Sequence, residues 1–123
     1  MATLSFAKLR NLCAGLPGAT HDIKWGADLV YSVGGKMFAV TFPPGDQRSG
    51  GDKFAFKVDD DRFLELTDRP GIVPSPYLAR AKWVSITPQA ALMQAEANAL
   101  LKRSYELVFA KLTKKLQREI SHA

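Results

Sequence analysis

From residue 4 to residue 14 the apolar positions recur every three to four residues. Phe6, Leu9, Cys13 and then Leu16 fall on one side, and Lys8, Arg10 and Asn11 fall mostly outside it. This is the spacing of a helix with one buried stripe. Gly15 and Leu16-Pro17-Gly18 end it, because neither glycine nor proline readily continues a helix. No element is assigned to residues 19–27, and His21 reads as a loop or strand-start residue. From Asp28 the period shortens to two. In 28–33, Leu29, Tyr31 and Val33 alternate with Val30 and Ser32, and in 36–42, Phe38, Val40 and Phe42 alternate with Met37, Ala39 and Thr41. Each segment is therefore a strand with one apolar face. The two residues between them, Gly34-Gly35, suit the positive φ of a tight hairpin turn.

Residues 43–52 are polar and rich in glycine and proline, the pattern of a long loop. A third strand follows at 53–58, with Phe54, Phe56 and Val58 opposite Lys53, Ala55 and Lys57. Asp59-Asp60-Asp61 then precedes a short helix, and three carboxylates at a helix start fit capping and the helix dipole. An EF-hand calcium loop is excluded, because the glycine and glutamate it needs at its sixth and twelfth positions are Leu64 and Pro70. Residues 68–81 hold three prolines and a glycine and read as a loop, and 82–87 as a fourth strand.

Beyond Pro88 the chain is almost free of helix breakers. Leu101, Tyr105, Val108, Leu112 and Leu116 form one face of a long helix that begins either at Thr87-Pro88 or near Met93. The order helix, hairpin, strand, short helix, strand, long helix predicts an α+β fold. It is a two-layer sandwich, with a mostly antiparallel sheet packed against an N-terminal helix, a short middle helix and a long C-terminal helix. No repeat or composition shift divides the chain, so residues 1–123 are expected to form a single domain.

Composition narrows the function only slightly. The chain is 46% hydrophobic and 24% charged, with a formal net charge of +5, a balance that permits a nucleic acid, an anionic membrane or an acidic protein as partner. Residues 1–58 carry seven basic against four acidic side chains, 59–87 four against five and 88–123 six against three, so the excess is spread along the chain. The single cysteine, Cys13, excludes an intrachain disulfide, and its place in the apolar stripe marks it as an inert core thiol. No segment approaches the roughly 20 apolar residues of a membrane span, and the N-terminus lacks a signal-peptide core. The expected location is the cytoplasm, with no membrane association.

Catalysis finds few candidates. The histidines are His21 and His122, no His/Cys cluster has zinc spacing, and no serine or cysteine nucleophile is tied to His21-Asp22 by a recognisable motif. The expectation is a protein that is not an enzyme, with no catalytic residue, metal or cofactor.

Four stretches taken together resemble the MmcQ/YjbR family: "LPGATHDIKWGADLVYSVGGKMFAV", "FAFKVDDDRFLEL", "PGIVPSPYLARAKWVSI" and "RSYELVFAKLTKK". The agreement in order and spacing runs over residues 4–116. The resemblance implies an α/β fold similar to secretion chaperones and to a double-wing DNA-binding arrangement, a DNA-binding label and no established enzymatic activity. It departs at one point. The family pattern His-Leu-Asn-Lys-x-His-Trp is replaced by Tyr77-Leu78-Ala79-Arg80-Ala81-Lys82-Trp83. A role needing imidazoles is lost there, whereas one needing positive charge and an aromatic plane survives.

Alternation in 82–87 turns Val84 and Ile86 toward the helices, and Trp83, Ser85 and Thr87 to the opposite sheet face, which Lys53 and Lys57 share. Aromatic rings among cations suit a polyanion that carries bases. The expected nucleic-acid contacts are Lys36, Lys57, Arg80 and Lys82 on phosphate, with Trp83 stacking or walling a pocket, and the Gly34-Gly35 tip and the 43–52 loop serving as wings. Packing of Trp83 beneath the 68–81 segment is the competing expectation. A second basic stripe, Lys111, Lys115 and Arg118, reads as a solvated helix face. The alternative functions are a protein- or peptide-interaction module resembling secretion chaperones, or a small-ligand-binding domain. The expected assembly is a monomer or weak homodimer.

Overall fold

A computed structural model of the chain describes residues 4–24, 28–41, 53–75 and 78–121. Helix α1 spans Phe6–Gly15 and strand β1 Ala19–Lys24, followed by β2 at Asp28–Val33, β3 at Lys36–Thr41 and β4 at Phe54–Lys57. Helix α2 spans Asp60–Thr67, β5 Ile72–Pro74, a single 3-10 turn Ala79–Ala81 and β6 Trp83–Ile86, and the described chain closes with α3 at Gln94–Phe109 and α4 at Lys114–Ser121. The six strands form one sheet in the order β1-β2-β3-β4-β6-β5, every neighbour antiparallel. The predicted α+β sandwich is the architecture observed.

The core lies between the sheet and the helices. Phe6, Leu9 and Cys13 of α1 and Leu101, Tyr105 and Val108 of α3 meet Phe54, Phe56, Val84 and Ile86 of the sheet. Cys13 is wholly buried, and burial pushes its thiol up to about 12. Ser5 caps α1 by accepting the Lys8 amide at 3.2 Å, and its own amide donates to the Gln94 side chain at 2.7 Å, which ties the start of α1 to the start of α3.

Four details differ from expectation. β1, "ATHDIK", has no apolar alternation because every residue after Ala19 is exposed, so backbone pairing with β2 holds it rather than burial. β5 is three residues long inside the proline-rich segment and is anchored by Ile72. In β3 the period breaks. Tyr31 pairs with Ala39 but Ser32 with Met37, so Phe38 is a bulged extra residue. Phe38 and Ala39 both join the core, and Val40 pairs with Val30 on the far face instead of sharing a face with Phe38. Phe42 and the 43–52 loop lie outside the described residues.

The long final helix is two helices. Thr113 accepts the Leu116 amide through its hydroxyl at 3.2 Å, as an N-cap does. The Gln117 side chain donates to the Leu112 carbonyl at 3.0 Å and the Phe109 carbonyl at 3.2 Å, tying α4 back to the end of α3 and its connection. The break lets Leu112 reach the hairpin tip, where Gly34 (φ 58°) has no room for a side chain: a Cβ there would stand 2.7 Å from Leu112.

Candidate functional site

Strand direction decides which of the predicted contact residues can act together. The Gly34-Gly35 turn hands the chain to β3, so Lys36 stands at the tip end of that strand. β3 runs antiparallel to β4, and Ala39 pairs with Phe56, which brings the end of β4, Lys57, to the same side. Lys57 is in turn the cross-strand partner of Trp83, the first residue of β6, directly after the 3-10 turn that carries Arg80. Lys36, Lys57, Arg80 and Lys82 therefore gather at one end of the sheet, although they are spread over 47 positions of sequence. Lys111, in the connection between α3 and α4, belongs to this end through its neighbour Leu112, which packs on Gly34.

The four cations are not equivalent. Lys36 and Arg80 are exposed. Lys57 donates its ammonium to the Ala81 carbonyl, at the end of the 3-10 turn, and its backbone amide to Ser104 Oγ at 2.9 Å. It acts as a strut that holds the turn presenting Arg80. Lys82 has φ 63°, the only positive value at a non-glycine among the described residues. That kink, held by the Lys82 amide on the Ala79 carbonyl at 3.0 Å and by the Lys82 carbonyl accepting from Val58 at 2.9 Å, turns the chain from the 3-10 turn into β6. The Lys82 ammonium lies 5.1 Å from the Phe63 ring centroid, a cation–π contact on the α2 side.

Trp83 requires a correction. Its side chain does leave the sheet on the face away from the helices, as the alternation predicts, and Lys57 stands beside it. The residue is nevertheless only 4% exposed, so it offers no ring face on which a base could stack. It is a packing residue of the far face, next to Ser85, whose hydroxyl bonds that of Ser75 at 3.2 Å, both buried. Of the expected wings, the Gly34-Gly35 tip stands at the Lys36 end, while Thr41 pairs with Phe54 at the opposite end of the sheet; the 43–52 loop itself lies outside the described residues.

Of the three aspartates that follow β4, Asp59 is the one held by an arginine. Asp59 stands at the N-cap position of α2 but makes no capping bond with its side chain. Its two oxygens instead accept from Arg103 at 3.0 Å each, and that guanidinium holds the carboxyl below the usual aspartate range. Asp60 and Asp61 sit in the first helical turn, where the dipole favours them. Farther along α2, Arg62 and Arg69 bracket Glu65 and Glu96 in one network, with the Arg69–Glu96 contact at 2.8 Å. Among the described residues three arginines are held in ion pairs, whereas Lys36 and Arg80 make none. Among the described residues no group of three His, Cys, Asp or Glu side chains could hold a metal ion. His21 lies exposed on β1 with its ring 5.9 Å from that of Tyr31, and Lys115 and Arg118 are exposed on α4.

The YjbR family model matches residues 14–107. The chain belongs to the YjbR family. Its fold agrees with a crystal structure of the Deinococcus radiodurans protein DR2400, of the DUF419 domain family, at a TM-score of 0.82 and 28% identity over 97% of this chain and 89% of that one. A Pseudomonas syringae protein shares the fold more distantly, with a TM-score of 0.67 and 18% identity over 85% of this chain and 99% of that one. Comparison with curated proteins gives no match. The YjbR match ends before α4, so the cations of that helix stand outside the family-matched region.

Proposed function

We propose that this YjbR-family chain is a non-catalytic nucleic-acid-binding protein that grips phosphates with the basic end of its sheet. The observation that carries the reading is the convergence of Lys36, Lys57, Arg80 and Lys82 at that end, with the neighbouring Asp59 already paired to Arg103. Lys36 and Arg80 make the direct phosphate contacts. Lys57 sets the position of Arg80 through the Ala81 carbonyl, and Lys82 adds charge from the α2 side. With the Trp83 ring buried, binding is electrostatic and weakly sequence-selective, since phosphate contacts position a protein on its ligand without reading bases.

Fluorescence anisotropy of labelled duplex DNA across a salt series tests this. The logarithm of the association constant should fall linearly with the logarithm of salt concentration, by about 0.9 per phosphate neutralised on duplex. Two to four contacts give a slope between about −2 and −4. No binding at low salt, or binding indifferent to salt, refutes the proposal. Lys57→Met, which keeps the aliphatic stem but removes the strut, should weaken binding severalfold with the slope falling by about one or less.

A further inference from the structure

We propose that β1 is the edge through which two copies of this chain associate. The two strands pair antiparallel, with Ile23 opposite Ile23 of the second copy and Asp22 opposite its Lys24. Edge strands expose unpaired backbone groups that can template another strand, and the two edges of this sheet differ sharply. β5 offers three residues and ends on Pro74, which has no N–H. β1 offers six residues, of which all but Ala19 are exposed.

The outward groups of β1 can be identified. Peptide groups along a strand alternate in the side to which they bond. The Ile23 amide donates to the carboxylate of its own neighbour Asp22 at 2.8 Å, so Ile23, and with it His21 and Ala19, turns its backbone toward the open side. The Ile23 side chain is 50% exposed, an isolated apolar group between Asp22 and Lys24.

Side-chain chemistry then selects the register. A two-fold axis perpendicular to the sheet keeps the helices of both copies on one side and requires residues of the same face to stand opposite each other. Centring the axis on Asp22 sets two carboxylates against each other, which is unfavourable. Centring it on His21 places Asp22 against Thr20 and leaves both charged residues unmatched. Centring it on Ile23 brings the two isoleucines together and sets each Asp22 against a Lys24. Each Ile23 amide then donates to the Ile23 carbonyl of the other copy, and Asp22 leaves that amide for the Lys24 ammonium. Lys24 already stands cross-strand from Asp28 in its own sheet, so the second copy places this cation between two carboxylates. The contact is short, and the dimer is correspondingly weak.

Sedimentation equilibrium from micromolar to millimolar protein tests the proposal. The wild-type chain should dimerise toward the upper end of that range. Asp22→Lys, which opposes two lysines at each pair, should raise the dimer dissociation constant about tenfold or more, and Ile23→Ser should raise it severalfold. The exchange Asp22→Lys with Lys24→Asp restores opposite charges and should return the constant to within about threefold of wild type. Circular dichroism establishes that each variant is folded, and Ile23→Ser carries the test if the lysine variant is not. A chain that stays monomeric at millimolar concentration, association unaffected by Asp22→Lys and Ile23→Ser, or an exchange variant no better than Asp22→Lys alone would each overturn it.

Discussion

Ser104 shows how much of this molecule depends on single buried contacts. Its hydroxyl donates to the Phe38 carbonyl at 2.7 Å and accepts the Lys57 amide at 2.9 Å, so one α3 side chain satisfies the bulge of β3 and the end of β4 together. Ser104→Ala leaves two backbone groups without partners and should cost about 1–3 kcal/mol, measurable as a lower urea midpoint. Trp83→Ala, at a residue 4% exposed, should cost about 3–5 kcal/mol. If the variant is folded, its affinity for DNA should fall little. A variant of near-wild-type stability that no longer binds DNA would return the indole to the contact surface. The sequence was legible here up to a definite point: alternation in "KWVSIT" fixed the face of Trp83 and its neighbour Lys57, because side-chain direction is a property of one strand. Exposure depends on what covers that face, which no single strand encodes. The partner of Asp59 was hidden for the same reason, since Arg103 lies 44 positions away.

At the scale of elements, the helices and strands that bury a stripe were visible in the sequence, and those that do not were missed. α1, β2, β4 and β6 have strong apolar patterns. β1 is held mainly by backbone pairing and β5 is anchored by Ile72 alone, so neither leaves a hydrophobic period to detect. The α3–α4 break was missed because it uses Thr113 and Gln117 rather than glycine or proline. The available signal was the N-cap threonine, three residues before Leu116. Gln117→Ala should speed amide exchange in 114–121 with little change in the global melting temperature. The arginine network linking α2 to α3 has a pH signature. Arg69 beside Glu96 holds that carboxyl below its ordinary range in the folded chain, so its stabilisation is present above the unfolded glutamate value, about 4.3. It is lost as the pH falls through the lower, folded value. Glu96→Gln should therefore flatten the stability profile below about pH 4.3, while lowering stability at neutral pH by less than about 1 kcal/mol, since the Glu96 side chain is 36% exposed and solvent screens the pair.

At the scale of the whole molecule, sheet topology turns a charge excess that looked evenly spread along the chain into a located one. Chain order separates Lys36 from Arg80, and antiparallel pairing brings them to one end, opposite to Lys24 and Lys53. Arg62, Arg69 and Arg103 spend their charge on neighbouring carboxylates, so the basic character of that end rests on few side chains. None of the helices among the described residues is long and apolar enough to cross a membrane. The most direct test of the account compares salt slopes for duplex DNA binding between two double variants, Lys36→Ala with Arg80→Ala at the proposed end, and Lys24→Ala with Lys53→Ala at the other. Each pair removes the same formal charge. The account predicts that the first pair lowers the magnitude of the slope by about two contacts' worth, close to 1.8, and the second leaves it near wild type. Equal loss from both pairs, or greater loss from Lys24 and Lys53, would contradict it.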